Sequence, residues 1–173
     1  MRFLKQRARC INKSQGHGQF IMNTLNLFTI SEIKISYFPK FKASERPLIS
    51  NSQSCFEIFR NNWDNGDLQY RESFAILLLS RSNKVIGINW ISQGGLTGTV
   101  ADPKMIFQAA LKANAASIIL AHNHPSGNIN PSQNDIDLTK KLVNAGQFLD
   151  LPVLDHLIIT DSAYFSHADE GLI

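Results

Sequence analysis

A chain of 173 residues, 43% of them hydrophobic, is long enough for one compact domain with its own core and too short for two comfortable ones. Cys10 and Cys55 are too few and too far apart for a disulfide scaffold, and no apolar run of 18 residues and no secretory signal occurs. A reducing, cytoplasmic setting away from any membrane is therefore expected. The formal charge of +3 sits in one place: Arg2, Lys5, Arg7, Arg9 and Lys13 all precede the first acid, Glu32. The 17 Lys and Arg less these five leave 12 against 14 Asp and Glu, so the remainder carries about −2 and gives nucleic acid little to bind.

Residues 1–21 show no periodic apolar pattern and read as a disordered basic leader, or as residues preceding a true start at Met22. Residues 22–50 form an N-terminal arm, with a short alternation in EIKISYF followed by Pro39 and Pro47; an edge strand is the most regular structure it supports. The domain proper spans 51–173. In SQSCFEIFRNNW, Cys55, Phe56, Phe59 and Trp63 recur at helical spacing behind Ser52, a capping residue, and DNGD ends the helix. SFAILLLS and VIGINWIS, joined by the turn-prone RSNK, make a β-hairpin.

A glycine-rich connection, GGLTGTV, leads to a helix in ADPKMIFQAALKANA, with Pro103 in its first turn and Met105, Ile106, Ala109, Ala110 and Ala113 on one face. SIILAH is a buried strand. SQNDIDLTKKLVNAGQFLD makes a second long helix with Ile136, Leu138, Leu142, Val143 and Phe148 as its apolar face. LPVLDHLIIT is another strand, and SAYFSH starts a last short one. The order predicts an α/β or α+β fold, a mixed sheet packed between helices with some parallel pairing.

The chemistry concentrates in AHNHPSGNINPSQNDIDL. Strand side chains alternate faces, so His122 and His124 at the end of SIILAH point the same way and can reach one ion. A catalytic divalent metal such as zinc takes three protein ligands and keeps one position open. Asp135 follows after a Gly-, Asn- and Pro-rich turn that can fold back, and is the nearest carboxylate. Two plainer readings stand beside this one: the histidines as polar residues at a strand exit, and Ser132 with Asp135 as a helix-capping pair. Cap and ligand are compatible, since a carboxylate held in a first helical turn is already in place.

The pattern His122, one residue, His124, seven residues, Ser132, two residues, Asp135 resembles the JAMM signature of JAB/MPN zinc metalloproteins. HNHPSG together with LDHLII is similar to the RadC branch, over about Ser44 to Ile173. The resemblance implies a JAB/MPN-like fold with cytidine-deaminase-like layering. It also implies one zinc ion held by His122, His124 and Asp135, Glu72 in RESFAILLLS as general base, and Ser132 steadying an oxyanion. The implied activity is hydrolysis of an amide or isopeptide bond in a protein or peptide substrate.

His156 alternates with Leu154 and Ile158 and reads as a core or supporting histidine bonded to backbone, not a fourth ligand. Asp155 either orients a ligand or caps a strand, Asn123 points to the face opposite the two histidines, and His17 and His167 fall in loops without signal. A different class of function, implied only by the RadC name, is a DNA-repair or recombination accessory. Longer relatives of that branch carry a helix-hairpin-helix module associated with DNA, and the first 50 residues show no pair of helices with its glycine hairpin. A ligand-free scaffold is disfavoured by the complete ligand set, and an HNH nuclease by the contiguity of the three letters.

Overall fold

The computed structural model describes residues 42–94 and 101–173; the leader, most of the arm and the glycine-rich connection at 95–100 lie outside them. The elements follow in the order α1 (Ser52–Asn62), α2 (Asn65–Leu68), β1 (Ser73–Leu79), β2 (Val85–Gln93), α3 (Pro103–Lys112), β3 (Ser117–Asn123), α4 (Gln133–Phe148), β4 (Val153–Ile159) and β5 (Tyr164–Ser166). The five strands form one sheet ordered β2-β1-β3-β4-β5, in which only β3 and β4 run parallel. The mixed sheet between helices is the architecture expected from the sequence.

Central strands β1 and β3 are buried at every position, which is why SFAILLL and SIILA read as continuous apolar runs with no polar alternation. One sheet face carries Phe74, Ile76, Leu78, Ile118 and Leu120 and is covered by Ile106, Phe107 and Ala110 of α3 and Leu142 of α4. The other carries Ala75, Leu77, Leu79, Ile119 and Ala121 under Cys55 and Phe59 of α1. Of the arm, residues 47–49 are held to the hairpin turn: Leu48 bridges Lys84, and the Ile49 N–H donates to the Asn83 carbonyl at 2.9 Å.

Helix ends explain most departures from the sequence reading. Asn51, not Ser52, caps α1, its side chain accepting from the Ser54 N–H at 2.8 Å, because Ser52 is already helical. DNGD does end that helix, yet Asp64 starts another, α2, by capping the Gly66 N–H. Helices α3 and α4 both close with paired 6→1 and 5→2 hydrogen bonds, Ala115 to Ala110 with Asn114 to Leu111, and Leu151 to Gly146 with Asp150 to Gln147. Asn114 and Asp150 take the left-handed conformation there (φ 52° and 51°).

Phe148 therefore falls in the terminal turn and is 91% exposed, and Met105 is half exposed while Phe107, outside the predicted apolar face, lies in the core. The chain turns back so tightly after α4 that a Cβ on Gly146 would lie 2.5 Å from the Leu151 carbonyl oxygen. Alanine favours a helix over glycine by about 1 kcal/mol, but overpacking costs about 1–3 kcal/mol. We expect Gly146→Ala to lose up to about 2 kcal/mol in urea unfolding, net of those opposing terms. An unchanged or raised midpoint would show that the α4–β4 turn yields freely.

Candidate functional site

Strand β3 ends at the sheet centre, and its alternation persists to the last residue. His122 continues the face of Ile118 and Leu120, while Asn123 turns to the α1 side. The loop 125–131 then brings the chain back to Ser132, the N-cap of α4, whose first turn carries Asp135. Nitrogen and carboxylate atoms of His122, His124 and Asp135 lie within 4.8 Å of one another, the one such group of three among the described residues.

The separations are specific. His122 Nε2 is 2.9 Å from His124 Nε2 and 3.3 Å from Asp135 Oδ1, and His124 Nε2 is 3.8 Å from Asp135 Oδ2. Ligand atoms about 2.0–2.1 Å from a tetrahedral zinc stand about 3.3 Å apart, so the three distances bracket what such an ion requires. His124 Nδ1 lies 2.6 Å from the Asn128 carbonyl oxygen, which can only accept, so Nδ1 carries the proton and a neutral His124 presents a lone pair at Nε2. Its neighbour 2.9 Å away must either donate to that lone pair or share a cation with it.

Asp135 is held from both sides. Oδ2 accepts from the Ser132 N–H at 2.7 Å and the Ser132 hydroxyl at 2.6 Å, and Ser132 Oγ in turn caps the Asp135 N–H. Burial raises the carboxyl pKa, but the hydrogen bond and charge of His122, with the two Ser132 donors, outweigh it and hold Asp135 well below the usual carboxylate range. The group is ionised at neutral pH, as a metal ligand must be. Cap and candidate ligand are one residue. The Ser132 hydroxyl spends its one proton on Asp135 in this geometry.

Glu72 is not gathered into the cluster of three. It immediately precedes β1, in which Phe74 pairs with His122; the same antiparallel register carried two residues further would set Glu72 opposite His124, on the same sheet face. Asn123 fixes that approach from behind. Its Oδ1 accepts from the Ser73 N–H at 2.7 Å and its Nδ2 donates to the carbonyls of Leu68 and Arg71, at 2.7 and 2.9 Å. The expectation that Asn123 faces away from the histidines is met, and its task is to bind the segment carrying Glu72.

Two histidines behave differently from their sequence reading. His156 bonds to side chains, not backbone, through its ring: Nε2 is 2.9 Å from His122 Nδ1 and Nδ1 is 2.6 Å from Thr139 Oγ1. His167, expected in a loop without signal, is fully buried, stacks on His156 with centroids 4.8 Å apart, and bonds through Nδ1 to the His156 carbonyl at 2.7 Å. Nothing in SAYFSH betrays this, because the chain folds back under β4 only after β5. Asp155 is buried and structural, accepting from the His156 and Ala168 N–H groups and the Ser166 hydroxyl. Burial pushes the Cys55 thiol up, with Asp155 adding to the shift, so it is neither nucleophile nor ligand.

A family model described as RadC-like JAB domain matches residues 49–172. A UPF0758 protein of Flavobacterium johnsoniae is 49% identical over 107 residues, covering 62% of this chain and 46% of the relative. That of Thermosynechococcus vestitus is 49% identical over 98 residues, 57% of this chain and 39% of the relative. That of Desulfitobacterium hafniense is 40% identical over 128 residues, 74% and 55%. The chain thus spans about half the length of these curated relatives, or less.

Asn123→Ala leaves one N–H and two carbonyls buried without partners, each costing about 1–3 kcal/mol. We expect a loss of at least about 3 kcal/mol in denaturant unfolding, and a loss below 1 kcal/mol would show that water replaces the carboxamide. Acid should act separately. Burial, then the neighbouring His122 and His167, holds His156 well below the ordinary histidine range, so it stays neutral when folded and takes a proton once unfolded. Stability of the metal-free protein should therefore fall as pH drops below about 6.5, by about 1.4 kcal/mol per pH unit from His156 alone. The depressed Asp135 adds its loss only below about pH 4. Urea midpoints that stay flat between pH 7.5 and 5.5 would contradict a neutral, buried His156.

Proposed function

The chain belongs to the RadC-like JAB domain family, and from that premise we propose that it is a zinc-dependent hydrolase of the JAMM type, cleaving an amide or isopeptide bond in a protein or peptide. One observation carries the reading: two imidazole nitrogens 2.9 Å apart and an ionised carboxylate whose two oxygens lie 3.3 and 3.8 Å from them converge on one point, close to the edge length of about 3.3 Å in a zinc tetrahedron. Nitrogen and oxygen donors without thiolate suit a catalytic zinc that keeps one position for water or substrate. A bound zinc supplies Lewis acidity toward a carbonyl and lowers the pKa of its water toward ~7.

The rest is done by this chain's residues. His122, His124 and Asp135 hold the ion, and the rigid settings of Asn128 and Ser132 keep the last two aimed at it. Glu72, on the same sheet face, accepts the proton of the attacking water and returns it to the leaving amine. Ser132 orients Asp135; the oxyanion role implied by the resemblance requires its hydroxyl to turn from that carboxylate toward substrate.

Metal analysis of the purified full chain is the first test, with about one zinc per chain expected and little in His124→Ala. Against a panel of peptide and isopeptide-linked substrates, Glu72→Gln should keep the zinc and lose about a hundred- to ten-thousandfold in rate. A wild-type chain that takes up no zinc removes the metal reading, and a Glu72→Gln variant of unchanged rate removes that residue from the chemistry.

A further inference from the structure

Thr139 lies one turn beyond Asp135 on α4, pointing inward and fully buried. Its Oγ1 is 2.6 Å from the Asp135 carbonyl oxygen and 2.6 Å from His156 Nδ1. A hydroxyl has one proton and a carbonyl can only accept, so that proton goes to Asp135; otherwise two oxygens would meet at 2.6 Å with none between them. His156 Nδ1 must then donate to Thr139. A neutral His156 with its proton on Nδ1 has a lone pair on Nε2, and this faces His122 Nδ1 at 2.9 Å. His122 Nδ1 therefore donates, and a neutral His122 is left with a lone pair at Nε2.

We infer that Thr139 and His156 are positioning residues that fix the tautomer and ring orientation of His122, so that its Nε2 and that of His124 both present lone pairs to one point. This rests on the reading of the triad as a metal site. It also bears on the 2.9 Å contact between the two Nε2 atoms: once a cation takes the place of a proton there, both nitrogens turn a lone pair to it. The hydrogen bonds form a circuit. They run from the main chain of Asp135 through Thr139 and His156 to His122, whose Nε2 stands 3.3 Å from the side chain of the same Asp135. Strands β3 and β4 and helix α4 are tied to each other through the site, and a hydroxyl that never meets the ion helps to set its affinity.

Zinc affinity of the full chain, measured by competition with a chromophoric chelator, tests this together with the visible absorption of the cobalt-substituted protein. Thr139→Val, which keeps the volume and removes the acceptor for His156, should weaken zinc about ten- to a hundredfold and alter the cobalt spectrum. Thr139→Ser, which restores the hydroxyl, should return both to within a few-fold of wild type. His156→Leu should lose affinity as Thr139→Val does. Thermal melts of the metal-free proteins separate folding from binding: a serine variant as destabilised as the valine variant, yet with wild-type affinity, still supports the inference. Wild-type affinity and spectrum in Thr139→Val, or failure of serine to restore them, overturns it while leaving the metal site intact. A wild-type chain that binds neither ion overturns the metal reading and this inference with it.

Discussion

Everything at this site depends on the period-two alternation of β3 being kept to its end and through the residue that follows it. At 122–124 it sends two imidazoles to one face and a carboxamide to the other. Were the strand to break at Ala121, His122 and His124 would diverge and Asn123 would lose its grip on the segment before β1. The extension is secured by backbone pairing on both sides, to Phe74 of β1 and to Ile158 and Ile159 of β4. That is available only to a central strand. Placing β3 in the middle of the sheet thus sets the geometry of this cluster as well as the packing.

The two faces of this tripeptide have separate energetics. On the α3–α4 side, His122 is desolvated (1% exposed) and answers to buried partners. On the α1 side, Asn123 satisfies three backbone groups that no strand or helix pairs. Buried polar groups of this kind stabilise only when every member is matched, and a single truncation strands the others. The same economy explains Asp155, one position before His156, which turns to the α1 side and fastens β5 and the turn after it through Ser166 and Ala168.

Much of this was legible in the sequence, for identifiable reasons. The apolar runs of β1 and β3, the proline at the start of α3 and the Ser132–Asp135 spacing are local signals, and each produced the element or cap expected of it. The convergence of His122, His124 and Asp135 was readable from strand alternation plus a turn able to reverse the chain, while their standing as a ligand set came from the resemblance. Glu72 was not readable locally and came only from the resemblance: the pairing of β1 with β3, which sets the end of its strand beside His122, is encoded by no short window. His156 was legible as a buried supporting histidine, but its partners Thr139 and His167 were hidden for a related reason, since they meet it across α4 and after β5. One trace existed, the spacing of Asp135 and Thr139 by one helical turn, but an i,i+4 pair containing threonine is too common to stand out. The exposure of Phe148 shows the converse failure, a periodic pattern carried one turn too far because the tight return at Leu151 was invisible.

Rigidity at the site is graded, and the gradient has a direction. His122 is anchored from the interior by His156, whereas His124 is 17% exposed and Asp135 14%, both held by elements at the surface, the Asn128 carbonyl and the Ser132 cap. The open side of the three side chains is therefore that of loop 125–131 and the first turn of α4. A cleft of about 320 Å³ lies beside His124 and the start of that loop, walled by Leu68, Gln69, Ser126, Gly127, Thr160 and Ser162 among others, with neither His122 nor Asp135 in its lining. Its lining is mostly uncharged and polar, and Asp161 at its edge is already paired with Arg60 at 2.8 Å. Such a wall offers hydrogen bonds from uncharged groups, with no free fixed charge among them.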